Sequence, residues 1–156
     1  GSEMCIRDRP DMAPMIFATA ILRDQKIDVF NSGQMYRDFT YIDDIVDGVL
    51  GVIDKPATSN VNFDPFAPDP SSSKAPFKVF NIGKGKPTSL MSFIGVLENV
   101  LGKKAQINML AMQPGDVPAT AADILAIQQW SGFQPNIGIQ DGVKKFADWY
   151  LDYYHR

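Results

Sequence analysis

Apolar residues at helical spacing mark two helices in the first third of the chain. The first stretch follows Asp11, a candidate N-cap, and continues to about Arg23. The second ends before Pro56 and is preceded by Thr40 and Asp43, which stand at capping-box spacing. The apolar members of the second stretch share one helical face: Ile42, Ile45, Val46, Val49 and Ile53. The pattern therefore predicts a helix in each stretch.

Three further helices are predicted in the second half of the chain. A Thr-Ser pair at 88–89 offers an N-cap for an apolar stretch that Gly102 stops. Thr120 and Asp123, again at capping-box spacing, open a short helix that Gly132 closes. The last helix has one apolar and aromatic face, formed by Ile139, Val143, Phe146, Ala147, Tyr150 and Tyr154.

Short β-rich segments predict four strands, at 27–30, 36–40, 77–82 and 105–109. A turn at 31–33 separates the first two, which are predicted to form a hairpin-like pair. Residues 55–76 are rich in Pro and Ser and are predicted to form a long surface loop. About five helices and four dispersed strands predict an α/β fold with an incomplete sheet, as in part of a larger α/β protein.

Charge and composition exclude two classes of partner. The chain has a net charge of −3, with 45% hydrophobic and 21% charged residues. Its Lys and Arg residues are scattered instead of forming a basic stripe, which argues against nucleic acid. It has no apolar run near the roughly 20 residues that span a bilayer, which argues against a membrane.

Cysteine and histidine are too few for a disulfide framework or a Cys/His metal site. Cys5 and His155 are single residues near opposite ends of the chain. With no apolar signal segment at the N-terminus, these counts predict a cytoplasmic protein. Residues 1–8 (GSEMCIRD) show no periodicity, and we interpret them as a non-native or adapter-derived segment.

Two motifs of nucleotide-dependent oxidoreductases are absent. The sequence has no G-x-G-x-x-G run, and no Tyr is followed four positions later by Lys. The chain is therefore predicted to contain no catalytic, cofactor-binding or metal-binding residues. Gly83-Lys84-Gly85 resembles half a phosphate loop, but a plain strand-to-helix turn is the favoured interpretation.

Charged residues in the region 37–47 have alternative interpretations. The Arg37 guanidinium offers the planar fork that grips a diphosphate, although an ion pair with Asp38 or Asp43 is favoured from the residues alone. Asp43, Asp44 and Asp47 are interpreted as solvated carboxylates on the first turn and outer face of a helix.

Four other residues stand out. Arg9 precedes the first helix and points either at a ligand or at solvent. Asp116 follows a Pro-Gly pair, where it either accepts hydrogen bonds from ribose hydroxyls or caps a turn. Trp130 and Trp149 are interpreted as core residues.

Five strings together resemble a known family. In order and spacing they are similar to the C-terminal half of NAD-dependent sugar-nucleotide epimerases of the extended short-chain dehydrogenase/reductase family, and most of all to the UDP-glucuronate 4-epimerase branch. The strings are RPDMA (9–13), MYRDFTYIDDIVDG (35–48), NIG (81–83), MQPGDVPATAAD (112–123) and GFQPNIGIQDGVKKFADWY (132–150).

The resemblance implies a two-domain enzyme whose N-terminal Rossmann half holds NAD and the catalytic residues. Residues 9–156 would then be the C-terminal UDP-sugar-binding part, with one strand and one helix of the Rossmann domain. The full enzyme would interconvert UDP-glucuronate and UDP-galacturonate as a homodimer, and this chain alone would be inactive. The alternatives are a UDP-sugar decarboxylase or dehydratase of the same family, or a non-catalytic nucleotide-sugar binding module.

The resemblance also implies roles for single residues. Arg37 would bind the diphosphate, and Arg9 would lie near the nucleotide. Val29 and Phe30 would line the uracil site, and Asp116 would contact ribose and phosphate.

Overall fold

The computed structural model describes residues 12–154, which form five α-helices and four short strands. In chain order these are α1 (Ala13–Leu22), β1 (Lys26–Val29), β2 (Tyr36–Arg37), α2 (Ile42–Ile53), β3 (Thr88–Ser89), α3 (Leu90–Leu101), β4 (Gln106–Met109), α4 (Leu125–Ser131) and α5 (Ile139–Tyr154). The predicted α/β class with an incomplete sheet is confirmed. None of the helices in this part of the chain is long and apolar enough to cross a membrane.

The strands form two separate pairs. β1 pairs in parallel with β4, with Lys26 opposite Gln106 and Val29 opposite Met109. β2 pairs antiparallel with β3. The predicted hairpin of β1 with β2 is therefore wrong. A 3-10 turn at Phe30–Gly33, in which Asn31, Ser32 and Gly33 all have positive φ, leads the chain out of the β1–β4 pair instead.

The core lies between three helices and the first strand. α1, β1, α3 and α5 supply its buried side chains, and α3 packs against both α1 and α5. The largest fully buried residues in it are Ile21, Ile27, Val29, Ile94 and Leu97. Thr19 and Tyr150 make a hydrogen bond of 2.8 Å between their hydroxyls at the edge of this core. Apolar packing therefore holds α1, β1, α3 and α5 together.

Both ends of α3 agree with the sequence, as do the C-terminal ends of α2, which stops before Pro56, and of α4, which Gly132 ends with φ 75°. The N-terminal ends of α2 and α4 do not. The Ser89 hydroxyl accepts a hydrogen bond from the Ser92 N–H at 3.1 Å, and Gly102 ends α3 with φ 67°. The predicted capping boxes are wrong, because neither α2 nor α4 has a side-chain N-cap bond. The Thr40 hydroxyl instead accepts from the Lys84 N–H at 3.0 Å. Thr120 lies well before α4, so the helix begins later than predicted.

Residues 77–82 do not form the predicted strand. Their one backbone bridge in the described structure joins Lys78 to Ser72, and Phe77 and Val79 are about half exposed. A strand needs a partner along its length, and no other strand lies beside this segment within residues 12–154. Residues 55–76 contain no helix or named strand.

The two tryptophans lie at the margin of the fold. Trp149 is half-buried against the core, as expected in part. Trp130 is outside the core cluster, contrary to expectation. It is half-buried, and its indole N–H donates to the carbonyl of Lys55 at 2.8 Å.

Candidate functional site

The candidate site is built around β2, which has a neighbour on each side. On one side Arg37 is opposite Thr88 of β3. On the other side the Tyr36 N–H donates to the Pro118 carbonyl at 2.8 Å, and the Thr120 N–H donates to the Tyr36 carbonyl at 3.2 Å. The chain from 118 to 120 therefore runs beside β2, which brings the preceding loop next to Arg37.

Arg37 and Asp116 form an ion pair at this place. The Nη2 atom of Arg37 lies 3.1 Å from Oδ1 of Asp116, and the two side chains are 30% and 32% exposed. The Nη1 atom of Arg37 donates to its neighbouring carbonyl, that of Tyr36, at 2.9 Å. The ion pair that was expected with Asp38 or Asp43 is wrong, since the carboxylate comes from a residue 79 positions away.

This pair has the chemistry of a polar ligand site. A half-exposed guanidinium can donate two parallel hydrogen bonds to a phosphate. A carboxylate beside it accepts hydrogen bonds from hydroxyl groups. Asp116 Oδ1 also accepts from the Val117 N–H at 2.8 Å, which holds the carboxylate in place.

The remaining predicted site residues are placed differently. The Val29 side chain is 0% exposed and belongs to the core, so it has no surface for a ligand. Its carbonyl accepts from the Leu110 N–H at 2.9 Å, which ties the end of β1 to the start of the loop that carries Asp116. Phe30 is half-buried in the 3-10 turn. Arg9 lies outside the described residues.

Asp38 was predicted only as an ion-pair partner of Arg37, but its carboxylate accepts hydrogen bonds from the backbone of two distant loops. Its Oδ2 atom accepts from the N–H groups of Gly85 at 2.9 Å and Ala122 at 3.0 Å. Its Oδ1 atom accepts from the N–H of Lys86 at 3.4 Å. Nothing in the local sequence signals these contacts, because the donors are far along the chain.

The turn at 83–85 has no free amides at Lys84 or Gly85 to offer a phosphate. The Lys84 N–H donates to the Thr40 hydroxyl and the Gly85 N–H donates to Asp38. It therefore does not fit the diphosphate of a dinucleotide, and it supports the interpretation as a plain turn. Within the described residues no group of His, Cys, Asp and Glu side chains is suited to a metal ion.

Asp44 contradicts the expectation of a solvated carboxylate. It is 3% exposed and accepts hydrogen bonds from the N–H groups of Asn136 at 2.9 Å and Ile137 at 3.1 Å. The Lys84 Nζ atom lies 3.7 Å from Oδ2 of Asp44. Asp43 is exposed as expected and binds Lys145, whose pKa this hydrogen bond raises.

Two open cavities flank the segment after β2. One of about 510 Å³ is lined by polar and apolar groups that include Asp38, Thr40 and Thr120. The other, of about 370 Å³, is mainly apolar and is lined by aromatic side chains that include Tyr41, whose pKa is raised by burial. Neither of these two cavities is lined by Arg37 or Asp116, whose side chains are about a third exposed.

Residues 7–83 match the sequence profile of the NAD dependent epimerase/dehydratase family. The match spans 77 of the 156 residues, just under half of the chain. It is 51% identical over 148 residues to the protein CapI of Staphylococcus aureus, covering 95% of this chain and 44% of that protein. It is 41% identical to a probable UDP-glucuronate 4-epimerase of Rhizobium meliloti, again covering 95% of this chain and 44% of the relative.

A solved structure shows the same similarity. The UDP-glucuronic acid 4-epimerase of Bacillus cereus, in complex with UDP-glucuronic acid and NAD, is 28% identical and superposes with a TM-score of 0.74. The matched region covers 93% of this chain and 41% of that one. The chain therefore spans less than half the length of the relatives it matches.

Proposed function

We propose that this chain is the C-terminal, UDP-sugar-binding part of an NAD-dependent UDP-glucuronate 4-epimerase and is inactive alone. The observation that carries the proposal is the Arg37–Asp116 pair, which joins a phosphate-binding group to a hydroxyl-binding group 3.1 Å apart. Relatives and a structural neighbour named UDP-glucuronate 4-epimerases support the substrate class. The absence of a Tyr-x-x-x-Lys pair supports inactivity of the chain by itself.

The proposed task of these residues is to hold the UDP group. Arg37 grips the diphosphate and Asp116 accepts hydrogen bonds from the ribose. The uracil lies beside the backbone at Val29 and Phe30, and Arg9 approaches the nucleotide. Epimerisation at C4 requires the sugar ring to turn over while the nucleotide stays bound. Firm binding of the UDP group keeps the substrate in place and leaves the sugar free to turn.

NAD supplies the hydride chemistry when it is bound, and we propose that it is bound mainly by the N-terminal half of the parent enzyme. The described residues contain no free glycine-rich turn for its diphosphate, since the amides of Lys84 and Gly85 are already used. We further propose a cytoplasmic, homodimeric parent enzyme.

Titration of the chain with UDP by calorimetry tests the binding role. Arg37→Ala removes a charge-assisted hydrogen bond and is expected to raise the Kd by about 10- to 150-fold. Arg23→Ala is the matched control, because Arg23 is an exposed cation at the end of α1, and it is expected to leave the Kd unchanged. Failure of the unaltered chain to bind UDP at millimolar concentration would contradict the proposal.

Complementation tests the reaction. The chain is combined with the N-terminal half of the Bacillus cereus enzyme, and the products from UDP-glucuronate are separated by chromatography. We expect UDP-galacturonate. A UDP-pentose would assign the chain to a decarboxylase, and binding of UDP without turnover in any combination would favour a non-catalytic binding module.

A further inference from the structure

The Asp38 carboxylate joins two loops that are distant in sequence. Oδ2 accepts from the N–H groups of Gly85 and Ala122, at 2.9 and 3.0 Å, and Oδ1 accepts from Lys86 at 3.4 Å. Asp38 directly follows Arg37 in the chain. One side chain therefore connects the end of β2 to both loops.

These loops lead into or contain the two neighbours of β2, which are β3 on one side and the chain at 118–120 on the other. The loop at 83–87 leads into β3, whose Thr88 is opposite Arg37. The loop at 110–124 contains Asp116, and its Ala119 forms a parallel bridge with Tyr36. Asp38 thus fixes both of the segments that flank Arg37, including the one that carries its carboxylate partner.

Close packing shows that the junction is tight. A Cβ atom at Gly83 would lie 2.6 Å from the Cβ of Ala122 and 2.9 Å from Oδ2 of Asp38. Real Cβ atoms do not approach other atoms so closely, so only glycine lets the loop come this near. The hydrogen bonds of Asp38 and the lack of a side chain at Gly83 therefore act on the same contact.

We propose that Asp38 is the positioning residue of the Arg37–Asp116 site. Its Oδ2 atom, as a hydrogen-bond acceptor, orders the 110–124 loop through Ala122 before a ligand arrives, so that binding costs less conformational entropy. The inference rests on the proposed function, because the ligand that benefits is the UDP group held by Arg37 and Asp116.

Two substitutions of Asp38 separate the loss of its hydrogen bonds from the loss of its charge. Asp38→Ala removes both acceptor oxygens and with them all three hydrogen bonds. Asp38→Asn can keep its carbonyl oxygen in the place of Oδ2, and so retain the bonds from Gly85 and Ala122 while losing the 3.4 Å bond. A positioning role predicts that the amide variant rescues most of the effect.

The test uses the full chain and UDP in calorimetry. We expect Asp38→Ala to weaken UDP binding on the order of tenfold and Asp38→Asn by no more than about threefold. Asp64→Ala is the matched control, since Asp64 accepts one amide, that of Phe66 at 2.8 Å, in the distant 55–76 loop. Equal UDP affinity of Asp38→Ala and the unaltered chain would overturn the proposal.

Amide hydrogen exchange, measured by NMR without ligand, separates this proposal from the proposed function. We expect Asp38→Ala to lose protection at Gly85, Ala122 and Val117, the last because its amide binds Asp116. Retained protection would overturn the positioning role whether or not UDP binds. If the unaltered chain binds no UDP but this loss occurs, the proposed function fails and the positioning of Asp116 by Asp38 stands.

Gly83→Ala provides a second variant in case Asp38→Ala does not fold. The added methyl pushes the 83–87 loop away from Ala122 and Asp38 and leaves the carboxylate in the chain. We expect a loss of UDP affinity and of Ala122 protection similar to that of Asp38→Ala. Unchanged values in a folded Gly83→Ala variant would also overturn the proposal.

Discussion

Helices α2 and α3 have the same length, 12 residues, and similar apolar patterns, yet they are held in different ways. α3 buries Phe93, Ile94 and Leu97 between α1 and α5. The buried residues of α2 are Asp44 and Gly48. Four of its apolar side chains are between 43% and 66% exposed: Val46, Val49, Leu50 and Ile53.

α2 is held to the rest of the fold by the close approach of Gly48 and by hydrogen bonds to the buried Asp44 carboxylate. Gly48 lies against Ile82 and Phe133, where a Cβ atom would come within 3.0 Å and 3.3 Å of their side chains. Asp44 anchors the first turn to residues 136–137. A helical apolar stripe therefore predicts a helix, but it does not predict which face of that helix is covered.

The largest expected difference in stability is between two Leu→Ala variants, one in α3 and one in α2. Leu97 is 0% exposed, so Leu97→Ala should lower the free energy of unfolding by about 3–5 kcal/mol through lost burial and a cavity. Leu50 is 51% exposed, and Leu50→Ala should cost less than about 1 kcal/mol. Urea unfolding measures both values, and equal losses would refute the difference between the helices.

A polar truncation in α2 is expected to have the next largest effect. Asp44→Ala leaves the amides of Asn136 and Ile137 without their acceptor and should cost about 2–3 kcal/mol. Asp47→Ala, an exposed aspartate on the same helix, is the control and should change stability by less than about 0.5 kcal/mol. If thermal unfolding shows no difference between the two variants, Asp44 does not anchor α2.

Glu98 tests the polar support of α3 through pH. The hydrogen bond from Lys104, followed by that from the Ala105 N–H, lowers the pKa of Glu98. A lowered folded-state pKa contributes stability above the ordinary value of about 4.3, and this contribution is lost as pH falls through the folded-state pKa. Glu98→Gln should therefore cost about 1 kcal/mol at pH 7.

The cost of Glu98→Gln should disappear when unfolding is measured well below pH 4. Asp148→Asn serves as the control, since its ion pair with Lys144 on α5 is exposed on both sides. It should change stability little at either pH. A cost of Glu98→Gln that is the same at both pH values would exclude the charged form as its origin.

The smallest effect on stability is expected at the open face of α2. Ile53 is 66% exposed, and Ile53→Lys should change the unfolding free energy by less than about 0.5 kcal/mol. It should nevertheless reduce self-association, because exposed apolar patches drive contact between molecules. Sedimentation velocity measures this, with Phe66→Lys in the 55–76 loop as the control. Equal association of both variants would show that the α2 face is not responsible.

Local signals predicted most of the helices and few of the strand partners. Ser89 and Gly102 bound α3 as expected, because a cap and a left-handed glycine act within one turn of the chain. Residues 77–82 have strand composition but form no strand in the described structure, since a strand depends on a partner. The sequence predicted Arg37 and Asp116 as separate site residues, but it did not predict that they form an ion pair.

The sequence by itself determined the five helices, the α/β class and, through five strings, the resemblance to NAD-dependent sugar-nucleotide epimerases. Tertiary structure decided that β1 pairs with β4, that Asp116 lies beside Arg37 and that Asp38 holds the loops on both sides of it. The physical reason is the separation of the partners along the chain. The backbone hydrogen bonds of a helix join residues four positions apart, whereas these contacts join residues 47 to 84 positions apart. Only the tertiary structure brings such residues together.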